Sequence, residues 1–150
     1  DFGMAFAKSQ IAASNSLPIK GLAFISLKDS HKPEGIDLAK QLLKLGFKLC
    51  ATKGTAEFIR QNKIKCRTIN KVSSGSPNIV DVLNSKKIAL VINTGGGSRK
   101  HRISDAREIR RATLNNKVPY CTNMSTAQAC LEAINSLKNK KLEVTSLQDI

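Results

Sequence analysis

Short apolar runs alternate with amphipathic segments along this chain, and the alternation predicts β and α units in turn. Residues Gly21 to Leu27 are short, apolar and β-compatible. Pro33 then opens a segment whose Ile36, Ala39, Leu42 and Leu43 fall on one helical face, with Gly46 just past its end. Proline in a first turn and glycine beyond a last turn are the usual punctuation of a helix. Lys48 to Thr52 reads as a second strand, followed by a turn at Gly54 and Thr55 and a short helix through Phe58 and Ile59. Cys66 to Asn70 alternates weakly and predicts a third strand. Ile88 to Thr94 is a continuous apolar run, the pattern of a strand covered on both faces.

Asp105 and Glu108 have the spacing of a capping box, and Ala106, Ile109 and Thr113 continue one helical stripe. Val118 to Thr122 predicts a fifth strand. Ser125 and Gln128 repeat the capping-box spacing ahead of Ala127, Cys130, Ile134 and Leu137 on one face. The tail from Leu142 to Leu147 predicts a short extra strand. The whole order is that of a three-layer αβα, Rossmann-like domain, with a mostly parallel five-stranded sheet and helices on both faces. Residues 1–18 read as a helix and linker, and the domain itself as 19–150. The sequence opens at Asp1 inside a helix-like pattern, so a piece of a longer protein is expected.

Composition narrows the function classes. A chain of 150 residues, 41% apolar and 24% charged, suits one globular domain. No apolar run approaches the roughly 20 residues that span a bilayer, and no signal peptide is present, so a cytoplasmic protein without a membrane partner is expected. The net charge of +14 invites a nucleic-acid partner. Aromatics are only 4%, however, with no Trp and one Tyr. Stacking platforms are therefore scarce. The basic residues are also spread along the chain, apart from Arg99-Lys100-His101-Arg102, so a solvated basic surface is the simpler reading. Cys50, Cys66, Cys121 and Cys130 form no CxxC pair, which argues against a metal site or a disulfide framework. They fall at apolar positions and read as inert buried thiols.

In an open parallel sheet, ligands bind beyond the carboxyl ends of the strands. Those ends carry Ser26, then Thr52 with Thr55, Asn70 with Lys71, Asn93 with Thr94, and Thr122 with Asn123. Hydroxyls, amides and one lysine thus share a rim that lacks a carboxylate, suited to an anion with polar appendages. Thr52-Lys53-Gly54-Thr55 carries most weight. A helix start offers unpaired N–H groups and a positive dipole end, and glycine lets backbone approach a phosphate. Lys32 or Lys71 would add charge. A second reading stands beside it, in which Thr52 and Thr55 merely cap the helix. Gly95-Gly96-Gly97 does not make GxGxxG, and Gly54 has no P-loop pattern around it. Neither His31 nor His101 falls at a strand end, and Asp29 and Asp81 are the nearest carboxylates. No catalytic residue is expected.

The ordered stretches Gly46-Phe47-Lys48-Leu49, Ala51-Thr52-Lys53-Gly54-Thr55-Ala56, Asn70-Lys71-Val72 and Pro77-Asn78-Ile79-Val80-Asp81 carry a wider resemblance. They continue in Val91-Ile92-Asn93-Thr94, Asp105-Ala106-Arg107-Glu108-Ile109-Arg110-Arg111 and Lys117-Val118-Pro119-Tyr120. Together they resemble the C-terminal allosteric domain of the carbamoyl phosphate synthetase large subunit, which has the methylglyoxal-synthase-like fold. The resemblance extends to Ala5-Phe6-Ala7-Lys8-Ser9-Gln10 and Leu17-Pro18, similar to the join with a preceding synthetase domain.

That resemblance implies a nucleotide sensor with a pyrimidine monophosphate (UMP) as inhibitor and, in bacterial members, a purine monophosphate (IMP) as activator. By motif position, Lys32, Thr52, Gly54, Thr55 and Lys71 would hold the phosphate. Ser26, Asn93, Thr94 and Gly95 would lie near ribose and base, and Tyr120 and Thr122 would map onto an ornithine site. No cofactor is implied for the domain itself. The parent enzyme uses ATP with Mg2+ or Mn2+ and K+, pairs with a small glutaminase subunit, and serves pyrimidine and arginine biosynthesis. Vertebrate relatives respond to N-acetylglutamate, whereas Lys71 and the paired threonines favour a nucleotide. Gly95 departs from the pattern, standing where bacterial relatives carry a hydroxyl residue, and Gly96 to Ile103 exceeds their basic turn. That loop is expected to order on binding and to shift the helix carrying Arg107, Arg110 and Arg111 against the synthetase domains. A methylglyoxal synthase would resemble Gly-Gly-Asp after strand three, with Asp as base. Val72 to Asn78 holds no carboxylate.

Overall fold

The computed structural model describes residues 18, 20–70, 77–94 and 100–148, the last stretch with side chains over 107–139. Five strands, β1 (Gly21–Ser26), β2 (Phe47–Ala51), β3 (Arg67–Thr68), β4 (Ile88–Asn93) and β5 (Tyr120–Cys121), form one sheet. Its order is β3-β2-β1-β4-β5 and every pairing is parallel. The chain winds outward from β1 to β3, crosses back to β4, and ends at β5. The direction of winding therefore reverses between β1 and β4, which opens a crevice at their carboxyl ends.

Parallel crossovers put helices on both faces, and the strand sequences answer to that. Ala23, Ile25, Leu49, Ala51, Leu90 and Ile92 pack on one side. They meet Leu38, Ala39 and Leu42 of α1 (Lys32–Lys44), Ala56 and Ile59 of α2 (Lys53–Gln61), and Ala127, Cys130, Leu131 and Ile134 of α5 (Met124–Gln148). Phe24, Cys50 and Val91 face the other side. There they meet Ile79 and Leu83 of α3 (Ile79–Asn84) and Ile109 and Ala112 of α4 (Lys100–Asn115). The three-layer α/β architecture is as the sequence predicts, and the sheet is parallel throughout.

Several local expectations change. The buried stripe of α1 is Gly35, Leu38, Ala39 and Leu42, and Leu43 is 40% exposed. The third strand is two residues long rather than spanning Cys66 to Asn70. It pairs only with β2, at the edge of the sheet. The fifth is shorter than Val118 to Thr122 because Val118 N–H closes the end of α4 on Thr113 C=O (3.0 Å). Pro119 has no N–H to offer, though its carbonyl accepts from Val91 (3.0 Å). Asp105 lies inside α4 rather than at its start, so the Asp105–Glu108 spacing is no cap, and Lys100 to Ile103 are helical rather than loop.

The last helix is capped by Asn123, whose side chain accepts from Thr126 N–H at 2.8 Å, and not by Ser125. The expected tail strand is helix through Gln148. Residues 124–148 contain neither Gly nor Pro, so nothing in the sequence stops α5. Lys138 on its outer turns donates to the Leu45 carbonyl at the end of α1. The linker expected over 1–18, apart from Pro18, and the Gly95–Arg99 part of the glycine loop lie outside the described residues.

Gly21 opens β1 at φ +131°, and a Cβ there would stand 2.7 Å from Ala89 Cβ on β4. Both the backbone and the neighbour exclude a side chain. Gly21→Ala should lower stability by about 1–3 kcal/mol, read as a lower urea midpoint at unchanged slope.

Candidate functional site

Register brings the strand ends into one row. Ser26 pairs with Asn93, and Ile25, Ala51 and Thr68 are level across three strands, as are Ile92 and Cys121. One residue further on, Ile69, Thr52, Ser26, Asn93 and Thr122 therefore line the carboxyl edge. The ladder continues past the strands, since Thr94 N–H donates to Ser26 C=O (2.9 Å) and Ile69 N–H to Ala51 C=O (2.8 Å).

The start of α2 is the most polar point of that row. Thr52 is extended (φ −67°, ψ 161°) and its side chain makes no capping bond. The helix's own hydrogen bonding begins with Ala56 N–H to Thr52 C=O at 2.8 Å, so the amides of Lys53, Gly54 and Thr55 precede it. Thr55 is buried, and its Oγ1 accepts from Leu27 N–H at 3.2 Å, which ties α2 to the exit of β1. Neither threonine caps the helix, so the capping interpretation of this pair does not hold.

Lys32 opens α1, and its Nζ lies 3.5 Å from the position a Cβ would take on Gly54. An ammonium thus stands over an uncapped helix N-terminus, where amides and dipole already favour an anion. Lys32 also bonds the Asp29 carboxylate at 2.5 Å. The rim is therefore not free of carboxylates, as the sequence suggested. Asp29 is 94% exposed, and exposed ion pairs are weak, about 0–1 kcal/mol.

His31 joins the rim from the same turn, a 3-10 segment spanning Asp29–His31. Its Nδ1 lies 3.1 Å from Thr94 Oγ1, which also accepts from Lys28 N–H at 3.4 Å. Sequence reasoning set His31 aside because it follows β1 by several residues. The turn folds back over the strand end, a long-range contact that no local pattern encodes.

On the far side, Asn93 Nδ2 donates to the Tyr120 hydroxyl at 3.4 Å. Burial pushes the Tyr120 phenol above its ordinary value, while the Asn93 hydrogen bond and Arg110 act in the opposite direction. Asn93 and Tyr120, expected to serve different ligands, thus form one pair. Ser26 and Thr122 sit at their strand ends, Ser26 half-buried and Thr122 exposed.

Two further strand-end residues and the carboxylate Asp81 of α3 have structural duties. Asn70 donates to Pro77 C=O (3.0 Å), and its carbonyl accepts from Ile79 N–H (3.0 Å). Asn123 caps α5. Asp81 accepts from Asn78 N–H (2.8 Å) in a complete capping box on α3. Lys71 and Gly95 lie outside the described residues. A separate groove of about 520 Å³ between α1 and α5 is lined by Glu34, Asp37 and Glu132, an acidic lining that repels phosphate. Among the described residues no group of three or more His, Cys, Asp or Glu could hold a metal ion, and no helix is long and apolar enough to cross a membrane.

A doubly wound parallel sheet with a polar rim at its switch point is the architecture of open-sheet α/β domains, a class in which ligands bind beyond the strand ends. A family model described as the MGS-like domain matches residues 34–122, and the chain belongs to that family. It is 45% identical over 149 residues to the carbamoyl phosphate synthase large chain, C-terminal section, of Methanopyrus kandleri, covering 99% of this chain and 27% of the relative. The same section from Aquifex aeolicus is 45% identical over 155 residues (100% and 28%). The carbamoyl phosphate synthase large chain of Mesorhizobium japonicum is 44% identical over 149 residues (99% and 13%). The chain thus spans less than a third of the length of these relatives.

All four cysteines are buried and free. Burial pushes the Cys50 thiol up to about 12 and Cys66 up to about 11. A thiol that ionises at lower pH unfolded than folded contributes stability below the unfolded value and loses it as pH rises toward the folded one. The urea midpoint should therefore fall steadily from about pH 9 to 11, and Cys50→Ala should flatten that fall by up to about 1.4 kcal/mol per pH unit. An unchanged slope would show that Cys50 is not held neutral.

Proposed function

We propose that this chain is the regulatory domain of a carbamoyl phosphate synthase large chain, and that its rim binds a nucleoside monophosphate effector. One observation carries the reading: the Lys32 ammonium stands over Gly54 at the uncapped start of α2. A phosphate dianion seated there would accept from the amides of Lys53, Gly54 and Thr55 and from the Thr52 hydroxyl. It would take Lys32 from an exposed carboxylate that holds it weakly. Lys71, which follows β3 in the sequence, supplies a second charge in this reading.

Ser26, Asn93, Thr94 and Gly95 would then lie along ribose and base, on the β1–β4 side of the crevice. UMP as inhibitor and IMP as activator are the proposed effectors, with Tyr120 and Thr122 contributing to an ornithine site. The relatives are large chains or their C-terminal sections, so the regulated partner would be the synthetase domains of the same polypeptide. The small glutaminase subunit, ATP, the divalent metal and K+ would act in those parts of the complex, in the cytoplasm, for pyrimidine and arginine synthesis. The domain itself would be non-catalytic. The segment Val72 to Asn78 has no carboxylate for proton abstraction, and Asp81 is engaged in a helix cap.

A thermal-shift and calorimetry panel of UMP, IMP, ornithine and N-acetylglutamate tests this. UMP or IMP should raise the melting temperature by mass action. A charge-assisted contact is worth roughly 1.5–3 kcal/mol, so Lys32→Ala and Lys71→Ala should each weaken nucleotide binding about tenfold or more. If neither nucleotide shifts the melting temperature, the effector reading fails. Incubation with dihydroxyacetone phosphate should yield no methylglyoxal above a buffer blank, and measurable release would overturn the non-catalytic assignment.

A further inference from the structure

The turn after β1 places adjacent side chains on opposite sides of the crevice. Lys32 reaches Gly54 on the β2 side, while His31 reaches Thr94 on the β4 side. The His31 contact carries a constraint on hydrogen positions. A threonine hydroxyl has one donor and two acceptor positions. One acceptor position of Thr94 Oγ1 is taken by Lys28 N–H. The 3.1 Å separation between His31 Nδ1 and Thr94 Oγ1 holds a single hydrogen. When Nδ1 is bare, the Thr94 hydroxyl spends its hydrogen on the ring. When the ring is doubly protonated, Nδ1–H fills the second acceptor position and the Thr94 hydrogen is released to point elsewhere.

We infer that His31 is a proton-linked binding residue of this crevice, one that turns Thr94 into a donor and adds a positive charge when an anionic ligand arrives. The inference rests on the effector reading above and adds to it a dependence on pH. The singly protonated ring with its hydrogen on Nδ1 gives the same hydroxyl orientation but brings no charge. On its own segment the ring's charged neighbours in sequence are Lys28, Asp29 and Lys32. From α1 there is the exposed Glu34, and beyond Thr94 there are the Asn93 amide and the Tyr120 phenol that it bonds. A bound phosphate dianion shifts this balance toward the protonated ring, so binding takes up a proton. By reciprocity, affinity rises as pH falls. Histidine is the side chain suited to such a change near neutral pH. The ligand's own phosphate is half protonated near pH 6, which keeps the useful window above that, at about pH 6.5–8.

The test is calorimetric titration of the chain with UMP and with IMP, in phosphate-free buffers of differing ionisation enthalpy. Wild type is compared with His31→Gln, which keeps a hydrogen-bonding group near Thr94 but does not titrate. Wild type should take up a fraction of a proton at pH 7 and bind about threefold more tightly at pH 6.5 than at pH 8. His31→Gln should still bind, with most of that uptake lost and the pH dependence flattened. Equal proton uptake and equal pH dependence in the two proteins would overturn the role of His31 while leaving the effector site standing. Failure of wild type to bind either nucleotide would overturn both.

Discussion

β1 has no face in water. Phe24 packs on α3 and α4, Ala23 and Ile25 pack on the opposite layer, and all three are 0% exposed. A strand sealed on both sides can place polar side chains only at its ends. The N-terminal end is closed by Gly21 against Ala89, so chemistry is left to the carboxyl end. Because β1 is also where the winding reverses, that end opens into a crevice instead of being covered by a crossover. The placing of Ser26, the turn at 29–31 and Lys32 follows from this one constraint, and so does the meeting of that turn with Thr94 and Gly54.

Much of this was legible in the linear pattern. The run Ile88 to Thr94 read as a strand buried on both faces, and Thr52 to Thr55 announced a helix start where glycine and hydroxyls coincide. The rows of strand-end residues followed once the sheet was taken as parallel. What the pattern could not resolve was competition between equivalent local signals. Asp105 with Glu108 has the spacing of a cap, but the same spacing occurs within a helix, and α4 had already begun at Lys100. Asn123 and Ser125 are both good caps two residues apart, and it is Asn123 that accepts from the Thr126 amide. Val144 and Thr145 in the tail favour strands in isolation, yet a helix already running from Met124 continues through them. His31 was missed for a different reason, since its partner lies more than sixty residues away.

The site and the core share parts. Thr55 is at once a member of the α2 N-terminal turn and the hydrogen-bond acceptor that fixes Leu27 beyond β1. Asn93 belongs both to the rim and to a pair with Tyr120 on the next strand. A displacement of α2 or of the turn is therefore felt directly by the central strand, and through Asn93 by β5 and the start of α5. The rim and the scaffold thus share hydrogen bonds as well as chain.

The bare start of α2 has an evolutionary side. Serine, aspartate or asparagine at an N-cap contributes about 0.5–2 kcal/mol to a fold, and here Thr52 supplies no such bond. A chain selected for robustness alone would have closed that gap with its own oxygen. Leaving it open makes the empty domain less stable than its architecture permits. A side chain that capped this turn would stabilise the helix and, in the same move, occupy the space beside its first amides.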